Sequence, residues 1–127
     1  MAASPSDRRY SKEHEWLKID GDSATIGITD YAQEQLGDVV YVDLPAAGTT
    51  ITQFEKMGEV ESVKAVSDLF TPASGEVLDL NQAVIDKPEL VNSDPHGAGW
   101  LIRIRLSDPS EAEKLLSSEE YDALIKE

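Results

Sequence analysis

The chain has 127 residues, of which 25 are acidic and 11 basic, and a formal net charge of −14. That charge repels a phosphate backbone or an anionic bilayer, so nucleic acid and membranes are not expected partners, whereas basic surfaces of other proteins are. Cysteine is absent, which excludes disulfides and thiol chemistry by the polypeptide itself, and no apolar run approaches the ~20 residues needed to span a bilayer.

The length is that of one domain, residues 1–127, large enough to bury a modest core. Met1 to Arg9 lacks the apolar stretch of a secretory signal and is short for a transit peptide, so residues 1–9 are expected to be flexible. The same segment favours a bacterial cytoplasmic protein, with a mature organellar protein as the alternative. Tyr10 to Ile19 alternates unevenly, Gly21-Asp22 supplies a turn, and Ile26 and Ile28 lie two apart, which together predict a hairpin with one buried face. Thr29 is placed to cap a helix of about two turns that starts at Asp30 and is stopped by Gly37. Asp38 to Leu44 is β-branched and aromatic, a strand ended by Pro45.

The next segment, Gly58 to Phe70, spaces Val60, Val63, Val66 and Leu69 among short polar residues, with Lys64 near its centre. One strand of about thirteen residues would be too long, and two strands folded back at Lys64 fit better. Hairpin tips favour Asn, Asp or Gly. Val63-Lys64-Ala65 is none of these, so the turn reads as one that displays an amine, with Glu59, Glu61 and Asp68 close by in sequence.

Beyond it, Glu76 to Leu80 predicts a strand, and Asn81 to Gly99 a long irregular connection with one helical turn at Pro88 to Val91. Trp100, Ile102, Ile104 and Leu106 alternate as a half-buried strand with Arg103 and Arg105 outward. Asp108-Pro109-Ser110-Glu111 and Ser117-Ser118-Glu119-Glu120 each carry helix-start signals, giving two short C-terminal helices. Closely spaced short strands argue for a small β-sandwich or barrel-like body. His14 and His96 are far apart and lack ligand spacing, so no metal site is expected; His14 is read as orienting its strand, and Trp16 and Trp100 as core or groove walls.

Glu61-Ser62-Val63-Lys64-Ala65-Val66-Ser67-Asp68 resembles the lipoylation segment of the glycine cleavage system H proteins. His14-Glu15-Trp16, Gly27 to Gln33, Leu36 to Val40, Leu90 to Pro95 and Gly99-Trp100-Leu101 resemble the same family in the same order. The resemblance implies a mainly β hybrid sandwich barrel like that of lipoyl and biotinyl carriers, with a short helix near residues 30–36 and the two C-terminal helices. It implies that Lys64 carries lipoic acid as an amide. It also implies a non-catalytic shuttle that takes the aminomethyl group of glycine from glycine dehydrogenase (decarboxylating) to aminomethyltransferase, is reoxidised by dihydrolipoyl dehydrogenase, and is modified by a lipoate ligase or octanoyl transferase. A monomer is expected. In the family the loaded arm folds into a cleft against residues matching Glu13, Glu15 and Asp68, with Glu15 the carboxylate best suited to a cationic amine; Gln35 falls where some members carry histidine. The Leu90 to Pro95 segment matches without any chemistry that assigns it a role.

Three other readings compete. A lipoyl or biotinyl carrier domain of another multienzyme complex is the nearest, although biotin carriers usually flank the lysine with methionine and here Val63 and Ala65 stand there. A Schiff-base enzyme would need Lys64 buried with its pKa depressed. A binding module that kept the fold would never take up lipoate.

Overall fold

The computed structural model describes residues 4–125, and among these nine strands form two sheets. The larger sheet contains β1 (Arg9–Tyr10), β2 (Glu15–Asp20), β3 (Ser23–Ile28), β5 (Thr50–Ile51), β8 (Gly75–Leu80) and β9 (Ile102–Leu106), in the order β1-β2-β3-β9-β8-β5. The smaller consists of β4 (Val39–Asp43), β6 (Lys56–Ser62) and β7 (Val66–Phe70), in the order β4-β6-β7. All pairings are antiparallel. Leu17, Ile26, Ile102 and Ile104 from the larger sheet meet Val42, Val60 and Leu69 from the smaller in one buried cluster. The expected mainly β sandwich is therefore present, as two open sheets packed face to face.

Local chemistry explains where several elements stop. β2 and β3 pair from Glu15↔Ile28 to Asp20↔Ser23, and Gly21, at φ 65°, makes the turn. Tyr10 to Ile19 is not one strand. It breaks after Tyr10, where Ser11 accepts from the His14 amide at 3.1 Å and His14 takes φ 71°, so that β2 starts afresh at Glu15. Helix α1 (Asp30–Leu36) begins at Thr29, whose hydroxyl accepts from Ala32 N, and ends at Gly37 with φ 80°, where the glycine amide donates to Gln33 O. Only a residue without a Cβ reaches that conformation cheaply.

The connection between β8 and β9 is more regular than its composition predicts. It holds α2 (Gln82–Asp86), capped by Asn81, and α3 (Leu90–Ser93), each burying one valine, Val84 and Val91. Two short helices replace the single turn expected, because one buried anchor each is enough to seat so short a segment. Leu101 lies outside the expected alternation: it precedes β9, donates to Ile26 O at 2.8 Å and is buried.

At the C-terminal end, Pro109–Lys114 forms a 3₁₀ helix and Ser118–Ile125 an α-helix, α4. Asp108 caps the first as expected, by accepting from Ser110 N. Glu111 does not close a capping box; its carboxylate accepts from Ser74 N at 2.7 Å and Ser74 Oγ at 2.8 Å, across the molecule. The box does form at Ser117 and Glu120, each accepting from the other's amide. Residues 1–3 of the expected flexible end lie outside the described residues; Ser4 Oγ donates to Asp122 at 2.6 Å, and the Arg8 guanidinium stacks 4.5 Å over the Trp16 ring.

Candidate functional site

β6 and β7 pair from Lys56↔Phe70 to Glu61↔Val66, leaving Val63, Lys64 and Ala65 as the reversal. None of the three takes positive φ, so the tip needs no glycine. Ser62 makes it possible. Its amide donates to Ala65 O at 2.8 Å, and its hydroxyl accepts from Ala65 N at 3.1 Å and Lys64 N at 3.3 Å, a side-chain-supported turn. The tip is also tied to the body, since Val63 N donates to Asp38 O at 3.0 Å, just beyond the end of α1.

Lys64 is exposed and forms no ion pair among the described residues. Its stem lies against Gly37, where an added Cβ would stand 3.3 Å from Cε and 3.9 Å from Nζ. An accessible amine at a wet hairpin tip suits acylation by another enzyme, and lacks the burial that a Schiff-base lysine requires.

Beside the hairpin lies a cleft of about 330 Å³, lined by Tyr31, Gln35 and Leu36 of α1, by Ser67 and Asp68 of β7, and by Glu13 and Glu15. The three carboxylates singled out in the sequence thus converge on one cavity, but in different states. Glu13 and Asp68 are exposed. Glu15 is only 2% exposed and forms part of the floor. Its Oε1 accepts from Ser11 Oγ at 2.7 Å and its Oε2 from Phe70 N at 3.3 Å, a bond that joins the two sheets. Burial pushes its carboxyl up to about 8, against these two hydrogen bonds, which pull the other way. Asp68 is 3.2 Å from Lys56, a basic neighbour that its sequence surroundings did not suggest.

His14, which also lines the cleft, is held by Tyr121, a residue to which the sequence assigned no role at the site. His14 Nδ1 lies 2.8 Å from the Tyr121 hydroxyl, which lies 2.7 Å from Thr29 Oγ1, so α4 braces both the start of α1 and the cleft edge. The His14 ring packs 4.9 Å from that of Tyr31, and burial holds its pKa below the ordinary value. Trp16 is core, its Nε1 donating to Ile28 O and Pro95 O. A second cavity of about 370 Å³, lined by Phe54, Phe70 and Leu115, shares Glu13 with the cleft but touches neither α1 nor the hairpin tip. No group of three or more His, Cys, Asp or Glu side chains suited to a metal ion occurs among the described residues.

The family model described as "Glycine cleavage H-protein" matches residues 8–127. The chain belongs to the glycine cleavage H-protein family. It is 50% identical to the glycine cleavage system H protein of Carboxydothermus hydrogenoformans over all of this chain and 98% of that one. It is 53% identical to that of Rubrobacter xylanophilus over the same shares. The crystal structure of the glycine cleavage system H protein from Mycobacterium marinum superposes with a TM-score of 0.90 at 42% identity, covering 98% of this chain and 100% of the other. The chain pairs a mainly β sandwich with short helices, and among the described residues no helix is long and apolar enough to cross a membrane.

Proposed function

We propose that the chain is the lipoyl carrier of the glycine cleavage system, with Lys64 as its attachment point and no turnover of its own. The observation that carries this is the Lys64 amine, exposed at the tip of a braced hairpin, with its stem laid against Gly37 beside the cleft. The residues fit the group. The amine is free to acylate, the absence of a Cβ at Gly37 leaves room for the stem, and the cleft that runs toward Glu15 mixes apolar and polar walls. When bound, lipoate supplies the disulfide and dithiol couple that a chain without cysteine lacks.

The protein's own residues then hold, orient and shield. The β6–β7 hairpin keeps the attachment point outside while its strands stay in the sheet. Ser62 and Asp38 fix the direction in which the stem leaves. Glu15 waits as a neutral acid at neutral pH. A cationic amine brought to the cleft favours its carboxylate, giving a charge-assisted hydrogen bond and releasing a proton. Asp68 and Glu13 add negative potential at the rim, with Lys56 in competition for Asp68. The partners we infer are glycine dehydrogenase (decarboxylating), aminomethyltransferase, dihydrolipoyl dehydrogenase and a lipoate ligase or octanoyl transferase, each reading an acidic surface, with the chain acting as a cytoplasmic monomer.

Intact mass and peptide mapping of protein from lipoate-supplied cells should place one lipoyl group on Lys64. Lys64→Ala should lose that increment and glycine cleavage together while keeping its urea midpoint, because an exposed tip contributes little packing. A wild-type chain that stays unmodified under ligase treatment, or full glycine cleavage by Lys64→Ala, contradicts the proposal.

A further inference from the structure

The Leu90 to Pro95 segment, which matches its family without an evident role, contains one side chain that reaches the junction on which the lysine hairpin rests. Asn92, half-buried in α3, uses its whole carboxamide on the junction between α1 and β4. Its Oδ1 accepts from Val39 N at 2.8 Å, and its Nδ2 donates to Gly37 O at 2.8 Å and to Gln33 Oε1 at 3.0 Å. Both amide hydrogens are satisfied, so the orientation of the group is set by its partners. The two backbone contacts bracket a single residue, Asp38. It is the Asp38 carbonyl that holds the hairpin tip through Val63 N, and it is Gly37 against which the Lys64 stem rests.

We propose that Asn92 is the positioning residue for the Lys64 arm: it fixes the Gly37 to Val39 junction, and through that junction both the anchor of the hairpin tip and the surface that directs the lysine stem along the cleft. The physical reason is economy of restraint. The tip contributes no buried side chain of its own, with Val63, Lys64 and Ala65 all exposed, so beyond the turn that Ser62 closes, its tie to the α1–β4 junction is the backbone bond from Val63 N to Asp38 O. A carbonyl in a loop between helix and strand is a firm anchor only if its own peptide, here the one that carries the Val39 N–H, and the preceding one, which carries Gly37 O, are held. Asn92 holds both. With the carboxamide removed, the junction gains freedom, the Val63 bond opens more often, and the arm spends less time in the cleft.

The inference rests on Lys64 carrying the arm, and the test separates the two. Asn92→Ala is compared with Asn81→Ala, which removes a carboxamide of the same connection that donates to Ala98 O and Trp100 O and has no contact with the junction. Amide hydrogen exchange at Val63, read by NMR on the unmodified full chain, should speed up by about tenfold in Asn92→Ala, as expected for losing a hydrogen bond's worth of local restraint, and stay at the wild-type rate in Asn81→Ala. In the lipoylated proteins, loss of the aminomethyl group from the loaded arm should be several-fold faster for Asn92→Ala alone. Asn92→Ser, too short to reach Gly37 O, serves the same comparison should the alanine variant not fold. Val63 exchange that is unchanged in Asn92→Ala, or equally accelerated in Asn81→Ala, overturns the positioning role. A wild-type Lys64 that never takes up lipoate is seen first by mass, and sinks the carrier reading on which this one stands.

Discussion

Burial raises the Glu15 carboxyl from an ordinary value of 4.5 to about 8, and this has a sign that can be measured. A carboxyl with a folded pKa above its unfolded one binds more protons folded than unfolded between the two values. Stability therefore falls as pH rises through the window from 4.5 to about 8 and flattens above it. His14 and His96 are both held below their ordinary 6.5 by burial; they oppose that trend below 6.5 and are silent above. Between pH 6.5 and 8.5 the wild type should lose roughly 2 kcal/mol, at about 1.4 kcal/mol per pH unit over the part of the window that remains, and Glu15→Gln should lose much less. Urea midpoints at the two pH values, with the slope unchanged, check this. In the loaded protein Glu15→Gln should leave lipoylation intact and speed loss of the aminomethyl group; release at the wild-type rate would remove Glu15 from the arm's contacts. The sequence marked Glu15 as an acid that could meet an amine, but its burial was hidden, because its partners Ser11 and Phe70 come from a broken strand and from the other sheet.

At the scale of elements, signals whose donor and acceptor lie within a few residues were legible: Thr29 and Gly37 bound α1, and Ser117 with Glu120 starts α4. The lysine hairpin was also visible, from its apolar spacing. Its actual support was not, since Ser62 does with a hydroxyl what a glycine would do with positive φ. Glu111 shows the limit of local pattern reading. It stands where a capping-box acid belongs, yet a tertiary partner claims it, and it ties the 3₁₀ helix to the turn before β8. Glu111→Ala should cost about 2 kcal/mol, as loss of hydrogen bonds to a charged acceptor does. A change below a few tenths in urea unfolding would show that water replaces the carboxylate without loss.

For the whole molecule, a charge of −14 on 127 residues pulls in two directions. It repels itself within the folded chain and attracts basic partner surfaces, and salt screens both over a Debye length of about 10 Å at 0.1 M. Raising salt from about 0.05 to 0.3 M should therefore raise the urea midpoint while lowering the association rate with the partners proposed above, aminomethyltransferase and the decarboxylating dehydrogenase. Association that is indifferent to salt would place the contact on apolar surface instead, for which the hairpin offers exposed Val63 and Val66 and its neighbouring strand β4 offers Val40 and Tyr41. The sandwich class was readable from the density of short strands. The strand order was not, because pairing between distant segments leaves no mark on either one.

That order has a consequence for how the chain comes into being. β9, the last strand described, sits between β3 and β8 in the middle of the larger sheet. While a ribosome is still making residues 102–106, β3 and β8 each present a bare edge, so the sheet can close only once β9 has emerged. A nascent chain stalled before that point exposes two sticky borders, although the lysine hairpin, in the other sheet, does not include β9.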